Sequence, residues 1–444
     1  MFDKLKQFVH RLIPQSFINF FYHFPQAFFW TLFYRYPTKN LTVIGVTGTD
    51  GKTTTSTLIW HILNQAGEKC GLISSVSAKI GNQTVDTGLH VTTPNPKNLQ
   101  KFLRKMKNAG IKFVVLESTS HGLDQYRLWG SNFQVGVITN VTHEHLDYHK
   151  TLANYLKAKR RLFKKVKIAI LNRDDISYQV IKSYINPKTK TLTYAIKNKA
   201  DFTLKNFKFT APLRGKYNQY NCLAAIATAN ALKIKKTVTL KALANFKGVR
   251  GRMEEVNLGQ NFKVFIDFAH TPNALNCVLP TLQKKLRKRG KLIVVFGAAG
   301  LRDKTKRFKM GEIAGKYADA IILTAEDPRT ENVNDIINQI AQGCLKTKAK
   351  EIKYHPNKFI WRSPYKFVPK HHYFLRVPDR EKAINLAIQK IARKGDIIVI
   401  CGKGPEKSMC FGNKEYPWSD RKETEKAIKQ RSKLKNREIY TSKA

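Results

Sequence analysis

Residues 47–53 read Thr-Gly-Thr-Asp-Gly-Lys-Thr, between an apolar run at Leu41–Val46 and a stretch with helical character from Thr53 onward. Strand, glycine-rich turn, lysine-threonine and helix in that order suit the binding of phosphate. The turn and the helix N-terminus would aim backbone N–H groups at the anion. Gly48, Thr49, Asp50, Gly51 and Lys52, with Thr53 and Thr54 opening the helix, form the expected nucleotide set. Lys52 can reach the β- and γ-phosphates, and the Thr53 hydroxyl can hold Mg²⁺. Val46 stands where the usual G-x-x-x-x-G-K-[ST] spacing has its first glycine, so the loop is a variant. A nucleoside triphosphate is the expected ligand.

A carboxylate and an imidazole are placed to complete such a site. Glu117 ends an apolar strand, the position at which α/β sheets present functional groups. His145, in His143-Glu144-His145-Leu146-Asp147, follows another strand. Facing the loop threonine, the two would hold Mg²⁺ beside the γ-phosphate. The plainer readings are a capping or ion-pairing role for Glu117 and a turn or core role for His145. His143 and His149 have weaker claims. Lys159, read alone, is a solvated helix lysine.

The elements that must position these residues alternate. Apolar runs at 112–116, 134–139 and 167–171 are separated by helical stretches, which predicts a parallel sheet with crossover helices. After a glycine-containing hinge at Gly248–Arg252, strands are expected at 263–267, 291–297, 319–324 and 396–401. Helices are expected near 306–317, 333–346 and 380–393. The fold class is therefore α/β: a short helical leader (1–40), a P-loop domain (41–247) and a Rossmann-like C-terminal domain (248–444). Residues 347–378, basic and aromatic with prolines, are expected to form a surface insertion. The tail from Arg421, with nine basic and three acidic residues, reads as a helix or a frayed end.

Composition adds limits. The 444-residue chain carries a formal charge of +49, from 80 Lys and Arg against 31 Asp and Glu. The basic residues are spread over every segment and no nucleic-acid-binding module is present, so nucleic acid is not an expected partner. Six cysteines, Cys70, Cys222, Cys277, Cys344, Cys401 and Cys410, form no C-x-x-C pair. They read as reduced thiols of a cytosolic protein. In the leader, Phe17–Tyr36 is dense in aromatics but interrupted by His23, Pro25 and Gln26, which argues against a simple spanning helix. Two short amphipathic helices broken near Pro25 are expected, with Lys4, Lys6 and Arg11 on a polar face. They either pack on the protein or make peripheral membrane contact through residues 1–36.

The variant loop GVTGTDGKTTT resembles that of the Mur ligase superfamily, ATP-dependent amide-forming enzymes of peptidoglycan precursor synthesis. Further segments carry the resemblance toward its tripeptide-forming branch. They are TTP at 92–94, ESTSHGLDQYR at 117–127, TNVTHEHLDYH at 139–149, AKRRLF at 158–163 and GKYNQYN at 215–221. GVRGRMEE at 248–255, IDFAHTPNAL at 266–275, GLRDKTKR at 300–307, EDPRTE at 326–331 and GKGPE at 402–406 complete it. The resemblance implies ATP and Mg²⁺ as cofactors and Lys52, Glu117, His145 and Lys159 as the catalytic set. It also implies that Lys159 is carbamylated, making a carboxylate-like group that supports metal. Asn218, Asn221, Arg252, Asp267 and His270 are then nucleotide contacts, with Phe268 in place of the family's tyrosine. Thr92, Thr93, Thr119, Gln125 and Arg127 would meet the acceptor.

By the same resemblance Arg302, Asp327, Arg329, Gly402 and Glu406 would receive the incoming amino acid. The arginine of the family motif Asp-Asn-Pro-Arg is kept, whereas Asp327 replaces its asparagine and Pro405 replaces the histidine of Gly-Lys-Gly-His-Glu. The implied reaction adds meso-diaminopimelate, or alternatively L-lysine, to UDP-N-acetylmuramoyl-L-alanyl-D-glutamate through an acyl phosphate, in a monomer. The region before the loop is shorter than the family's uridine-gripping domain. Alternatives are a folylpolyglutamate- or cyanophycin-type ligase, an enzyme modifying a lipid-linked precursor, and a non-enzymatic, nucleotide-gated basic binding protein.

Overall fold

The alternating runs become two parallel-rich sheets in a computed structural model of the chain. Each sheet belongs to its own compact unit, Met1–Lys247 or Gly248–Ala444. The structure describes residues 14–87, 92–142, 144–354 and 372–441, the last eight of these by backbone alone. Lys4, Lys6, Arg11 and His143 lie outside the described residues.

The first sheet uses β1 (Thr42–Thr47), β2 (Cys70–Ile73), β3 (Ala78–Ile80), β4 (Gln83–Val85), β5 (Phe113–Glu117), β6 (Phe133–Ile138), β7 (Ile168–Asn172) and β8 (Lys190–Tyr194). Its order is β4-β3-β2-β5-β1-β6-β7-β8, with all pairs parallel from β2 to β8 and an antiparallel edge at β3 and β4. The central strands read as continuous Val, Ile and Leu because helices cover both faces, as parallel sheets require. Val43, Val114, Leu116 and Ile138 pack one face into a core with Leu99, Leu103, Leu162 and Phe163. Register then decides function: Val46 lies opposite Glu117, so the last residue of β5 stands beside the exit of β1 into the loop.

The second sheet orders as β13 (Lys350–Glu351), β14 (Tyr373–Arg376), β12 (Ala320–Leu323), β11 (Leu292–Phe296), β15 (Ile397–Cys401), β10 (Lys263–Asp267) and β9 (Glu254–Val256). Only β9 runs antiparallel. A hairpin, β16 (Ser408–Phe411) and β17 (Lys414–Pro417), follows, and the chain ends in the helix Asp420–Thr441. Residues 347–378 are not simply an insertion. Lys350–Glu351 and Tyr373–Arg376 are sheet strands, and Tyr373, Phe374 and Leu375 are buried between flanking layers. Four prolines and scattered lysines obscure this alternation in the sequence; 355–371 lie outside the described residues.

The leader also departs from expectation. A helical run passes from Gln15–Ile18 through a π turn, Asn19–His23, into Phe24–Phe33 without a break at Pro25. Proline removes an N–H that an α-helix needs, but here it is the second residue after the π turn, in the first turn of Phe24–Phe33, where the hydrogen-bond ladder changes pitch. Its buried line is Asn19, Ala27 and Thr31. Among the described residues no helix is long and apolar enough to cross a membrane.

In the second unit a fully buried ion pair fixes the last helix to the sheet. Arg380 donates through Nε and Nη2 to the two oxygens of Asp420 at 2.8 and 2.7 Å. Its remaining donors meet the carbonyls of Ala325 and Cys401, at the ends of two strands. Asp420→Ala leaves that guanidinium buried and uncompensated. A urea titration should show about 3–5 kcal/mol of lost stability, and a loss below about 1 kcal/mol would mean that water or another acceptor replaces the carboxylate.

Candidate functional site

The loop leaves β1 at Thr47 and turns into the helix Lys52–Gln65 at Gly51, whose φ of 81° is left-handed. A Cβ there would overlap Asn221 Oδ1, so glycine is required twice over. The end of β6 grips the loop: the Thr49 N–H donates to the Asn140 carbonyl at 2.7 Å and the Asp50 N–H to Asn140 Oδ1 at 3.0 Å. Those two N–H groups therefore do not aim at a phosphate as expected. The first turn of the helix, from Lys52, supplies that role. Lys52 Nζ folds back onto the Thr49 carbonyl at 2.7 Å. Asn221 Oδ1 accepts from the Thr55 hydroxyl at 3.2 Å, and Asn221 Nδ2 donates to Asn218 Oδ1 at 2.9 Å. Both asparagines thus adjoin the loop on a second helix, Lys216–Ala231.

The Thr53 hydroxyl donates to Glu117 Oε1 at 3.0 Å, and Ser75 joins the pair through its Oγ to Thr53 at 3.0 Å and its N–H to Glu117 Oε2 at 2.9 Å. Glu117 is 1% exposed. Next to it, Thr93 Oγ1 donates to the Glu117 carbonyl at 3.2 Å and lies 3.0 Å from Thr119 Oγ1. Arg127 reaches the Thr93 carbonyl at 3.4 Å and Gln125 Oε1 at 2.5 Å. Burial lowers the Arg127 pKa, against a smaller opposing pull from Tyr148. The expected acceptor residues thus lie together, with Thr92 half-buried at their edge.

His145 adopts a left-handed φ of 56° at the start of the short helix Leu146–His149. Its ring centroid stands 4.7 Å from His121 and 6.2 Å from Tyr155, and its Nε2 lies 3.8 Å from Glu144 Oε2. Tyr155 carries the connection to the loop, with its hydroxyl 3.2 Å from Thr49 Oγ1. His149 is buried in the same group, and burial pushes its imidazole down to about 4. Lys159 is not a solvated lysine. It is 1% exposed, donates to the Gly48 carbonyl at 2.6 Å and sits over the Tyr155 ring. Burial, then repulsion from Lys52, holds its amine well below the ordinary lysine range, against the pull of Glu144, Asp50 and Asp175.

In the second unit, Asp267 at the end of β10 accepts from the N–H groups of Met253 and Ala269 at 2.7 and 2.8 Å. That clasp brings Arg252 to 4.5 Å over the Phe268 ring, with His270 4.5 Å beyond it. A separate group gathers residues expected to receive the amino acid. Lys403, fully buried, pairs with Asp327 at 2.8 Å and Glu406 at 2.5 Å. Burial opposes its charge, but Glu406, Asp327 and Glu326 together hold its pKa above the ordinary value. Gly402, at φ 109°, lets the chain pass Glu326. Arg329 has a left-handed φ of 53°, donates from Nη1 to the Gly300 carbonyl at 2.6 Å and is half-buried. Arg302 is exposed on the loop between Gly300 and Thr305.

Residues 46–229 match the Mur ligase middle domain, and residues 251–404 match the Mur ligase glutamate ligase domain. A UDP-N-acetylmuramoyl-L-alanyl-D-glutamate–2,6-diaminopimelate ligase of Caldanaerobacter subterraneus is 38% identical over 409 residues, covering 88% of this chain and 78% of that one. The chain belongs to the Mur ligase family. A UDP-N-acetylmuramyl-tripeptide synthetase of Roseiflexus sp. is 36% identical, over 89% of this chain and 80% of that one. A solved structure of a UDP-N-acetylmuramoyl-L-alanyl-D-glutamate–2,6-diaminopimelate ligase superposes with a TM-score of 0.59 at 29% identity, covering 94% of this chain and 83% of that one.

Sequence reasoning missed several residues that the structure joins to these candidate groups. Ser75, Asn140 and Tyr155 act by hydrogen bonds across the fold, and only Asn140 lay in a quoted motif, TNVTHEHLDYH. Lys403 lay in GKGPE but reads as a solvated cation until its burial is known. Arg307, in GLRDKTKR, is fully buried and braces Glu331 with 2.6 and 2.9 Å bonds, pulling that carboxyl down to about 2.

Glu326 beside Gly402 yields a pH test. Burial raises its pKa above 4.5, Lys306, His270 and Lys403 pull it down less, and its Oε2 has no hydrogen-bond partner. A folded-state pKa above the unfolded one means stability present below pH 4.5 and lost as pH rises through the folded value. Glu326→Gln should therefore match the wild type near pH 4 and exceed it near pH 7, by about 1–3 kcal/mol if the unpartnered oxygen dominates. Urea titrations at the two pH values check it; a wild type that gains on the variant with rising pH would reverse the sign.

Proposed function

We propose that this chain uses ATP to join the amine of an amino acid, meso-diaminopimelate, to the D-glutamate γ-carboxylate of UDP-N-acetylmuramoyl-L-alanyl-D-glutamate. The observation that carries the reading is the 38% identity, over 88% of the chain, to a relative bearing that activity in its name. The reading places the chain in the cytosol, where ATP and reduced thiols are found.

In this scheme a carboxylate oxygen of the acceptor attacks the γ-phosphorus of ATP, and ADP leaves. Lys52, which needs only to swing off the Thr49 carbonyl, offsets charge on the transferring phosphoryl oxygens together with the helix N-terminus. The acyl phosphate is then attacked by the neutral amine of the amino acid; phosphate departs and the amine loses its extra proton. Thr93, Thr119, Gln125 and Arg127 adjoin Glu117 and would orient the acceptor.

Mg²⁺ fits the donor set at Thr53 and Glu117, two oxygens 3.0 Å apart with a third at Ser75, which suits a hard cation. Bound there it would neutralise phosphate charge. His145 and a carbamylated Lys159 would support a metal by the family resemblance. The Lys159 amine is suited to carbamylation, because a buried amine of lowered pKa is neutral and nucleophilic toward CO₂. The resulting carbamate keeps one N–H, enough to go on donating to Gly48.

Asn218, Asn221, Arg252, Asp267 and His270 would contact the nucleotide. Arg302, Asp327, Arg329, Gly402 and Glu406 would receive the amino acid. Arg329 would clamp its distant carboxylate with parallel bonds that L-lysine cannot return.

Two measurements test the reading. Phosphate release with the muramoyl dipeptide and a panel of amino acids should fall about 100-fold or more in Lys52→Ala; near-normal release would remove the loop from the chemistry. Arg329→Ala should raise KM for meso-diaminopimelate roughly 10–100-fold and leave KM for ATP unchanged. If KM for ATP rises equally, Arg329 only holds the Gly300 loop. A wild type preferring L-lysine would move specificity away from Arg329.

A further inference from the structure

The leader helix is built inside out. Its fully buried line is Asn19, Ala27 and Thr31, two polar residues and the smallest apolar one, with half-buried Phe24 beside it against Tyr126 and Trp129. Asn19 Nδ2 donates to Asp124 at 2.8 Å, and Thr31 Oγ1 donates to the carbonyls of Ala27 and Trp129 at 2.7 and 3.3 Å. The outward face carries Phe17, Phe20, Phe21, Phe29, Leu32 and Phe33, each between 46% and 62% exposed. Of the 16 large hydrophobics exposed among the described residues, nine fall between Phe17 and Tyr36. A helix facing water has the opposite arrangement, and apolar patches of this extent mark interaction sites.

The neighbouring element shows what charge the partner carries. The helix Pro96–Asn108 packs beside Phe24–Phe33 and is ordinarily amphipathic, with Leu99, Phe102, Leu103 and Met106 buried. Its outer side presents Lys97, Lys101 and Lys105 to solvent, and Lys97 lies 5.0 Å from the centre of the Trp30 ring. Neither this helix nor any residue from Lys4 to Thr49 is acidic. Protruding aromatics flanked by lysines, with no carboxylate among them, match the interface of an anionic bilayer, where rings enter the acyl boundary and ammonium groups meet lipid phosphates.

We propose that the outward face of the leader helix, with the lysines of Pro96–Asn108, docks this ligase peripherally on anionic phospholipid membranes. The rings lie in the interface plane rather than crossing it, consistent with a run of 19 helical residues that contains a π turn and the polar or imino residues His23, Pro25 and Gln26. The proposal is independent of which amino acid is added, since none of these side chains belongs to the candidate site.

The test uses the full chain and vesicles of phosphatidylcholine with or without roughly 30% phosphatidylglycerol. The wild type should co-sediment at least tenfold more strongly with the anionic vesicles. Phe20→Ser, Phe21→Ser, Phe29→Ser and Phe33→Ser combined should lower that binding at least tenfold, while lipid-free phosphate release stays at the wild-type rate. Lys97→Glu, Lys101→Glu and Lys105→Glu combined should abolish the preference for anionic lipid. All four positions in the first variant are exposed, so circular dichroism and melting should match the wild type. Three outcomes overturn the proposal. One is vesicle binding unchanged by the serine variant, which assigns it to the general +49 charge. Another is a wild type that binds neither vesicle. The third is a wild-type dimer, seen by light scattering, that the serine variant dissociates and that ignores vesicles. Loss of phosphate release with vesicle binding intact would instead count against the ligase reading alone.

Discussion

The first unit's chemistry depends on the grip of Asn140 on the loop. Its side chain accepts from the Asp50 N–H and donates to the Asp50 carbonyl at 3.1 Å, while its own carbonyl takes the Thr49 N–H. Thr139 adds a 2.7 Å bond from its hydroxyl to the Asp50 carbonyl, in contact with Gly48. The grip is itself held from further along the sheet. Asn172, ending β7, donates to the Thr139 carbonyl at 2.8 Å; Tyr194, ending β8, bonds the Ile138 carbonyl at 2.7 Å; and Asp175 takes the Val141 N–H. Three adjacent strand ends, those of β6, β7 and β8, thus fix the loop that leaves β1. Connected, satisfied polar networks of this kind rigidify a site more than their separate bonds would. The parallel order of the sheet is what makes it available, since parallel neighbours deliver their carboxyl ends to one edge.

That rigidity lets the loop tolerate two lysines. Lys52 and Lys159 donate to carbonyls one residue apart, Thr49 and Gly48, and repel each other enough to contribute to the lowered pKa of Lys159. Under the proposed function, an arriving polyphosphate, or a negative group formed on Lys159, would relieve this repulsion. The second unit reaches a similar end by the opposite sign, surrounding one buried cation, Lys403, with Asp327, Glu406 and Glu326. Pairing satisfies most of that charge, and Glu326 remains the group least at ease there. The substitution of Asp327 for the family's asparagine is intelligible in this setting, because it gives Lys403 a second full counter-charge.

Much of this was legible in the chain itself. The strands at Lys263–Asp267 and Ile397–Cys401 and the helix at Val333–Lys346 stand within a residue of where the apolar pattern puts them, since long buried runs leave little choice of register. The loop, Thr53 and Glu117 were readable because their chemistry follows from order along the chain. Burial was not readable. Lys159 and Lys403 look like any other lysine in a chain with 80 basic residues until packing encloses them. Tyr373–Arg376 was hidden by the basic, proline-containing sequence before it, and the π turn at Asn19–His23 by a proline that ordinarily announces a helix end. Hydrogen-bond partners such as Ser75 and Asn140 are set by strand order, which local pattern does not encode.

The inward polar line of the leader follows from what it packs against. Asp124 is a shared acceptor: Asn19 and Tyr148 donate to it at 2.8 and 2.9 Å, and Arg161 pairs with it at 3.1 Å. Burial and the charge of Asp124 push the Tyr148 phenol up to about 12, so it remains a donor throughout the physiological range. Its ring lies tilted against His121 at 4.4 Å between centroids, and His121 in turn meets His145. An apolar residue at position 19 would leave Asp124 with one donor fewer, a loss that falls on a partly buried carboxylate. The leader is thus fixed by polar complementarity on its inner side. Phe24 and Phe28 add ring contacts to Tyr126 and Trp129, whereas Phe17, Phe20, Phe21, Phe29 and Phe33 take no part in that packing and stand outward as a surface.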